Sequence, residues 1–252
     1  MDDQVVIASC QLPDVHDDID RSVGLIIEYA KQAQNRGAKL VCFPECFLQG
    51  YVVDHRTRER AVDLSSDIFV SILAQLAHVD PVLVIGIIEL RGDDLFNSAI
   101  VVKKGELLGT YRKTNLIGQE KDTFEPGLEF PIFQVEDMKF GINICYDLNF
   151  SACAAAVADQ GAELLVCPCN NMLRRKIAEK WKHKHNEIRS KRSAETGLWL
   201  LSSDVTGKTD SHISYGPTVL IDQDGIVVGQ VPLLESGLLV WGIGANVQSV
   251  SR

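Results

Sequence analysis

No stretch of this chain stays apolar for the roughly 20 residues that a membrane-spanning helix needs. The start, "MDDQVVIASC", lacks the basic residues and long apolar core of a secretory signal, so a reducing cytoplasm is the expected compartment. Positive charge is also scarce. Lys and Arg number 25 against 34 Asp and Glu, a net charge of −9. Nucleic acid and anionic membranes need a basic surface, so neither is an expected partner. No Gly-, Ser- or Pro-rich spacer interrupts the sequence. With 252 residues, 46% of them hydrophobic and 23% charged, one soluble domain over residues 1–252 is expected.

Histidine is thin as well. The six residues, at 16, 55, 78, 183, 185 and 212, fall in no motif that would pair them with a nucleophilic cysteine. Seven cysteines, an odd number, argue against a disulfide scaffold. Their spacing in "CFPEC" and "CPC" does not form the paired Cys-x₂₋₄-Cys set of a structural zinc site. "HKH" (183–185) lies in a helical stretch, where positions two apart face different ways. These residues read as core and solvated face, and no metal is expected.

What is present is a regular alternation. "VVIASCQL" (5–12) reads as a buried strand. "DIDRSVGLIIEYAKQAQNRG" carries Ile19, Val23, Ile26, Ile27 and Ala30 at helical spacing, with Gly37 to stop it. "AKLVCFPE" is a second strand, and 46–64 reads as loop. "SSDIFVSILAQLAHVD" is a serine-capped helix, followed by the strand "PVLVIGIIEL". "LFNSAIVVKKGELLGTYRK" is a hairpin turning at Lys104-Gly105. The strand "KFGINICY", the helix "FSACAAAVADQG", the strand "AELLVCP" and one long charged helix over about 176–196 come next. "LWLLSSDV", "SYGPTVLID" and "IVVGQV" close the domain as strands. The segments "GAKLVCFPE" (37–45) and "GAELLVCPCN" (161–170) are near copies. Each follows a strand and a helix, which suggests two pseudo-symmetric sheets with helices outside.

Ligand-binding groups in α/β folds collect where strands end. Glu45 ends "LVCFPE", Lys113 follows "LLGTYRK" and Cys145 ends "FGINICY". Singly, each has an ordinary reading: a loop carboxylate, a solvated lysine and a core thiol like Cys10, Cys42 and Cys153. Together they supply covalent acyl transfer without histidine. The carboxylate takes the thiol proton, the thiolate attacks a carbonyl or nitrile carbon, and the cation stabilises the oxyanion. A free thiol is mostly protonated at neutral pH, so Lys113 and the start of the helix after Cys145 are expected to lower its pKa.

"FPECFLQGY", "YRKTNL" and "GINICYD" resemble, in order, the three signature segments of the nitrilase superfamily, the carbon–nitrogen hydrolases. "LFNSA", "FEPG" and "RSAETG" support the resemblance. It implies a four-layer α-β-β-α sandwich, a homodimer or larger assembly formed through helices, and no cofactor. It also implies a second glutamate after the lysine, for which Glu120 is the candidate, and an oxyanion contact from the backbone N–H of Tyr146. The family often reads Cys-Tyr-Asp-x-Arg-Phe-Pro-Glu at the nucleophile. Here "CYDLNFSA" puts Asn149 in place of the arginine and Ser151 in place of the proline.

The expected activity is hydrolysis of a C–N bond in a small linear amide or N-carbamoyl compound (an amide or ureide) with release of ammonia. A nitrilase, or a non-catalytic binding protein that retains the fold, is the alternative. By the internal repeat, residues past Cys169 face the same cleft. Asn170 and Asn171 are therefore expected to hydrogen-bond the substrate, and Arg174 or Arg175 to hold a carboxylate.

Overall fold

The computed structural model describes residues 4–244. Its centre is the strand Val5–Pro13, which serves two sheets. Ile7–Ser9 pair in parallel with Leu40–Cys42. The last three residues, Gln11–Pro13, pair in parallel with Asp204–Thr206 of the strand Trp199–Lys208. Along its other edge, Val5–Gln11 pair antiparallel with Gly237–Ile243.

The internal repeat is a repeat of topology. In the first half, the parallel strands Val5–Pro13, Leu40–Cys42 and Val82–Arg91 are linked by the helices Ile19–Gln34 and Asp67–Leu76. The antiparallel strands Asp94–Lys103 and Glu106–Arg112 follow. In the second half, Met138–Ile142, Leu164–Pro168 and Trp199–Lys208 are parallel, with the helix Ser151–Ala158 and a helical segment ending at Thr196 between them. Val219–Ile221 and Val227–Gln230 complete it antiparallel. The two copied segments thus hold equivalent places, each second in its half.

The core confirms four layers. Strands buried on both faces alternate their side chains between two apolar environments. Leu40 and Cys42 point between the sheets and meet Phe140, Ile142, Leu164 and Val166 of the other half. Val41 and Phe43 point the opposite way and pack with Val23, Ile26, Phe69 and Ile72 of the helices. In the second half, Leu165 and Cys167 face Ala154 and Val157. The helix–sheet–sheet–helix sandwich follows from this alternation.

Local chemistry sets several boundaries. Ser66 Oγ accepts from the Phe69 N–H and caps Asp67–Leu76. Lys104 and Gly105 both take positive φ (49° and 77°) at the hairpin turn, as a tight two-residue turn requires. The expected long charged helix is instead two, Arg175–Trp181 and Lys184–Thr196. A short helix, Thr57–Arg60, and the strands Ile132–Val135, paired with Met138–Ile142, and Gly237–Ile243 add to the predicted elements. Among the described residues, no helix is long and apolar enough to cross a membrane.

Candidate active site

Glu45, Lys113 and Cys145 all leave strand ends on one side of the sandwich and line one cavity of about 370 Å³. Lys113 is the hub. Its Nζ donates to Glu45 Oε1 at 2.7 Å and to Glu120 Oε1 at 2.8 Å. All three side chains are almost completely buried. Asn97 Nδ2 donates to the same two oxygens, at 2.8 and 2.9 Å. Glu45 Oε2 accepts from the Asn170 N–H at 2.9 Å. Glu120 is fixed further by the Tyr51 hydroxyl (2.8 Å) and the Ile117 N–H (2.9 Å). A buried cation paired to two hydrogen-bonded carboxylates satisfies the condition under which buried charge is tolerated.

The signature segments explain themselves in this geometry. In "YRKTNL", the Tyr111 hydroxyl and the Asn115 N–H both donate to Asp147 of "CYD", each at 2.8 Å. Asp147 also accepts from the Ile144 N–H at 3.0 Å. The carboxylate thereby ties the loop carrying Lys113 to the turn carrying Cys145. In "FEPG", the Gly127 N–H donates to the carbonyl of Lys113 at 2.8 Å. A Cβ on Gly127 would lie 2.1 Å from the Arg112 carbonyl oxygen, so only glycine fits. In "LFNSA", Asn97 bridges the two glutamates. The Cys46 thiol contacts Asn97 Oδ1 at 3.5 Å, which turns the Asn97 amide group toward the carboxylates.

Cys145 itself sits at φ 42°, a left-handed conformation that is uncommon for a non-glycine residue and costs it about 1–3 kcal/mol. The sharp turn places Cys145, a half-buried residue, at the cavity wall, with Tyr146 beside it. The Cys169 thiol, burial and the Glu45 carboxylate together push the Cys145 thiol well up. This corrects the expectation of a thiol activated at rest. Lys113 does pull the thiol down, as expected, but the Cys169 thiol, burial and Glu45 outweigh it. Burial pushes the Glu45 carboxyl above its usual range, against the pull of Lys113. Burial opposes the charge on Lys113, but Glu45 and Glu120 outweigh it and hold the ammonium well above its ordinary value.

Asn170 and Asn171 line the cavity, as expected, yet their amide donors are engaged elsewhere. Asn170 Nδ2 donates to Asp14 at 3.2 Å, and Asn171 Nδ2 donates to Asp204. Arg174 and Arg175 are a correction. Both are exposed and outside the cavity lining. The chain after Asn171 forms the short strand Leu173–Arg174 against Ile213 and His212, and Arg175 donates to the carbonyls of Thr209 and Asp210. Met172 and Leu173 take the places at the cavity wall instead.

Sequence reasoning missed the opposite wall. Arg189 is buried against Cys169 Sγ (3.1 Å) and Asp204 Oδ2 (3.4 Å). His185 and Ile188 of the same helix, and Trp181 at the end of the helix before it, line the cavity with it. Asn149 stands at the mouth, where its Nδ2 donates to the Tyr146 carbonyl at 3.1 Å.

A buried carboxylate–lysine–carboxylate cluster and a cysteine at positive φ share one cavity of a pseudo-symmetric α-β-β-α sandwich, the groups that covalent acyl transfer through a thiol would need. Residues 6–252 match the sequence model of the carbon-nitrogen hydrolases, and the chain belongs to that family. A nitrilase from Pyrococcus abyssi is 38% identical over 146 residues, covering 56% of this chain. That match spans only 55% of the nitrilase's own length. An omega-amidase from Danio rerio is 28% identical over 220 residues, covering 82% of this chain and 76% of the relative. The crystal structure of an amidase from Nesterenkonia sp. aligns with a TM-score of 0.83 at 25% identity, over 95% of this chain and 90% of that one.

Proposed function

We propose that this chain hydrolyses the C–N bond of a small linear amide, or of an N-carbamoyl compound that releases ammonia, through a thioester on Cys145. The observation that carries this reading is the Glu45–Lys113–Glu120 cluster opening onto the same cavity as the strained Cys145. Such a cluster has no evident structural purpose that apolar residues would not serve as well.

In the first step Glu45 takes the Cys145 proton as sulfur attacks the carbonyl carbon. Because the thiol is held protonated, transfer and attack proceed together rather than from a standing thiolate. The raised affinity of Glu45 for a proton suits it to this task. The tetrahedral oxyanion is received by Lys113 Nζ and the backbone N–H of Tyr146. Glu45 returns the proton to the leaving nitrogen, the C–N bond breaks and ammonia departs. Glu120 holds Lys113 in place and orients the substrate amide. Water then loses a proton to Glu45 and attacks the thioester carbon. The C–S bond breaks and the sulfur regains its proton. The net change is amide and water to acid and ammonia.

A nitrile substrate is the second reading. It is supported by the likeness to a protein named a nitrilase, and it would use the same thiol and base. Pairing of two or more copies through the helices after Cys145 is proposed alongside. Light scattering at micromolar concentration tests it, and a monomer would contradict it. The catalytic reading is tested by ammonia release from primary amides, carbamoyl compounds and nitriles. Release from none of them, with Cys145 intact, would favour a binding protein that only keeps the fold.

A further inference from the structure

The cavity next to Cys145 must hold whatever part of the substrate lies beyond the carbonyl. Its wall is largely apolar, formed by Leu148, Met172, Leu173, Ile177, Trp181 and Ile188. Its cations and its amide side chains have partners. Among the described residues lining it, the cations are Lys113 and Arg189. Lys113 is held between Glu45 and Glu120. Arg189 is buried against Asp204, with further donation to the Asn186 side chain (3.2 Å) and the Pro217 carbonyl. Burial and the neighbouring Arg189 push His185 down to about 3, so its imidazole is neutral at working pH. The amide donors of Asn149, Asn170 and Asn171 point to Tyr146, Asp14 and Asp204. A carboxylate entering this space would lose its water and meet no unengaged cation, which is strongly unfavourable.

Asp204 decides this state. It accepts from the Asn171 N–H at 3.0 Å, from the Asn171 side chain and from Arg189. Without its charge, Arg189 would be an unpaired guanidinium at the cavity wall, and a guanidinium is well suited to bind a carboxylate through two parallel hydrogen bonds.

We propose that the cavity selects a neutral, apolar acyl group, and that Asp204 enforces the selection by neutralising Arg189. This rests on the hydrolase reading above and adds to it the substrate class. It also reverses the expectation, drawn from Arg174 and Arg175, that acids are preferred.

Isocaproamide and succinamate test the proposal, because an isopropyl end replaces a carboxylate of nearly the same shape. Wild-type enzyme is expected to favour isocaproamide by about 100-fold or more in kcat/KM, since an unpaired charge must be buried in the alternative. Asp204→Asn is expected to shift that ratio toward succinamate by at least about 10-fold, chiefly through KM. Ile177→Arg provides a second route if the Asp204 variant does not fold. Ile177 is 46% exposed and lies at the cavity wall, so an added cation there should shift the ratio in the same direction. Equal or better turnover of succinamate by the wild type would overturn the proposal. An unchanged ratio in folded Asp204→Asn would overturn the role of Asp204, and an unchanged ratio in Ile177→Arg would overturn charge as the basis of selection. If neither amide releases ammonia nor acylates Cys145, the hydrolase reading fails first, and the two failures are thereby separable.

Discussion

Gly86 sits in the middle of the strand Val82–Arg91, and the chain of Glu45 bends directly over it. A Cβ built on Gly86 lies 2.3 Å from the Pro44 carbonyl oxygen, 2.4 Å from the Cys46 nitrogen and 2.7 Å from the Glu45 Cα. All three atoms are backbone, so no side chain can rotate away. Relieving the overlap in Gly86→Ala requires the Pro44–Cys46 segment to move by about 1 Å, the shortfall from ordinary contact. The Leu48 N–H bond to the Gly86 carbonyl (3.1 Å) and the Glu45 N–H bond to Cys169 (3.2 Å) resist that movement. Overpacking of this kind costs about 1–3 kcal/mol of stability. A 1 Å displacement of the general base costs about 100-fold in rate. The expected result is a folded protein with a lowered Tm and a loss in kcat/KM of about two orders of magnitude. Chemical denaturation and an ammonia-release assay measure the two effects. Wild-type activity together with wild-type stability would mean that the backbone at Glu45 is not packed as described.

Lys113→Ala leaves two buried carboxylates facing each other. It should reduce stability by about 3–5 kcal/mol at neutral pH and cut kcat by at least about 100-fold; a stable variant retaining wild-type rate would contradict the hub role. By the proposed mechanism, the pH profile of kcat/KM reflects a requirement for Glu45 ionised and the Cys145 thiol protonated. Since burial raises Glu45, activity should fall, as pH drops, at an acid limb above the ordinary glutamate value of about 4.3. Lys113 is held well above its ordinary value, so its own titration should add no alkaline limb below about pH 10. An acid limb at or below the ordinary glutamate value would refute the assignment of Glu45. Iodoacetamide should abolish activity while a metal chelator leaves it intact. Loss on chelation with restoration by zinc would revive a role for "CPC" and "CFPEC".

Much of the site is legible in the sequence, because its chemistry falls at strand ends that the pattern marks clearly. Pro44 stops one strand just before Glu45, and the apolar run "FGINIC" stops at Cys145. The copied segments 37–45 and 161–170 mark equivalent strands, so Cys169 and Glu45 do face one cavity. Glu120 came from the family resemblance, since nothing in "LIGQEKDTF" distinguishes a buried carboxylate from a solvated one. The wall containing Arg189 was invisible for a physical reason. The helix Lys184–Thr196 buries Arg189, Arg192 and Ser193, which is helical spacing carried by polar residues. A search for apolar periodicity passes over such a stripe. Arg174 and Arg175 were misplaced because the repeat predicts where the strand ends, not where the chain turns afterwards. Two residues of pairing with Ile213 and His212 carry them away from the cavity. The strand Gly237–Ile243 was overlooked as its partner, Val5–Pro13, lies at the opposite end of the sequence.

The central claim is that Cys145 carries the acyl group during turnover. Rapid quenching of enzyme mixed with a primary amide, followed by peptide mass spectrometry, tests it most directly. The account predicts an acyl adduct on the peptide containing Cys145, lighter than the intact amide by ammonia, with no adduct and no turnover in Cys145→Ala. Ammonia release at the wild-type rate by Cys145→Ala, or an acyl adduct on another residue of the wild type, would contradict it.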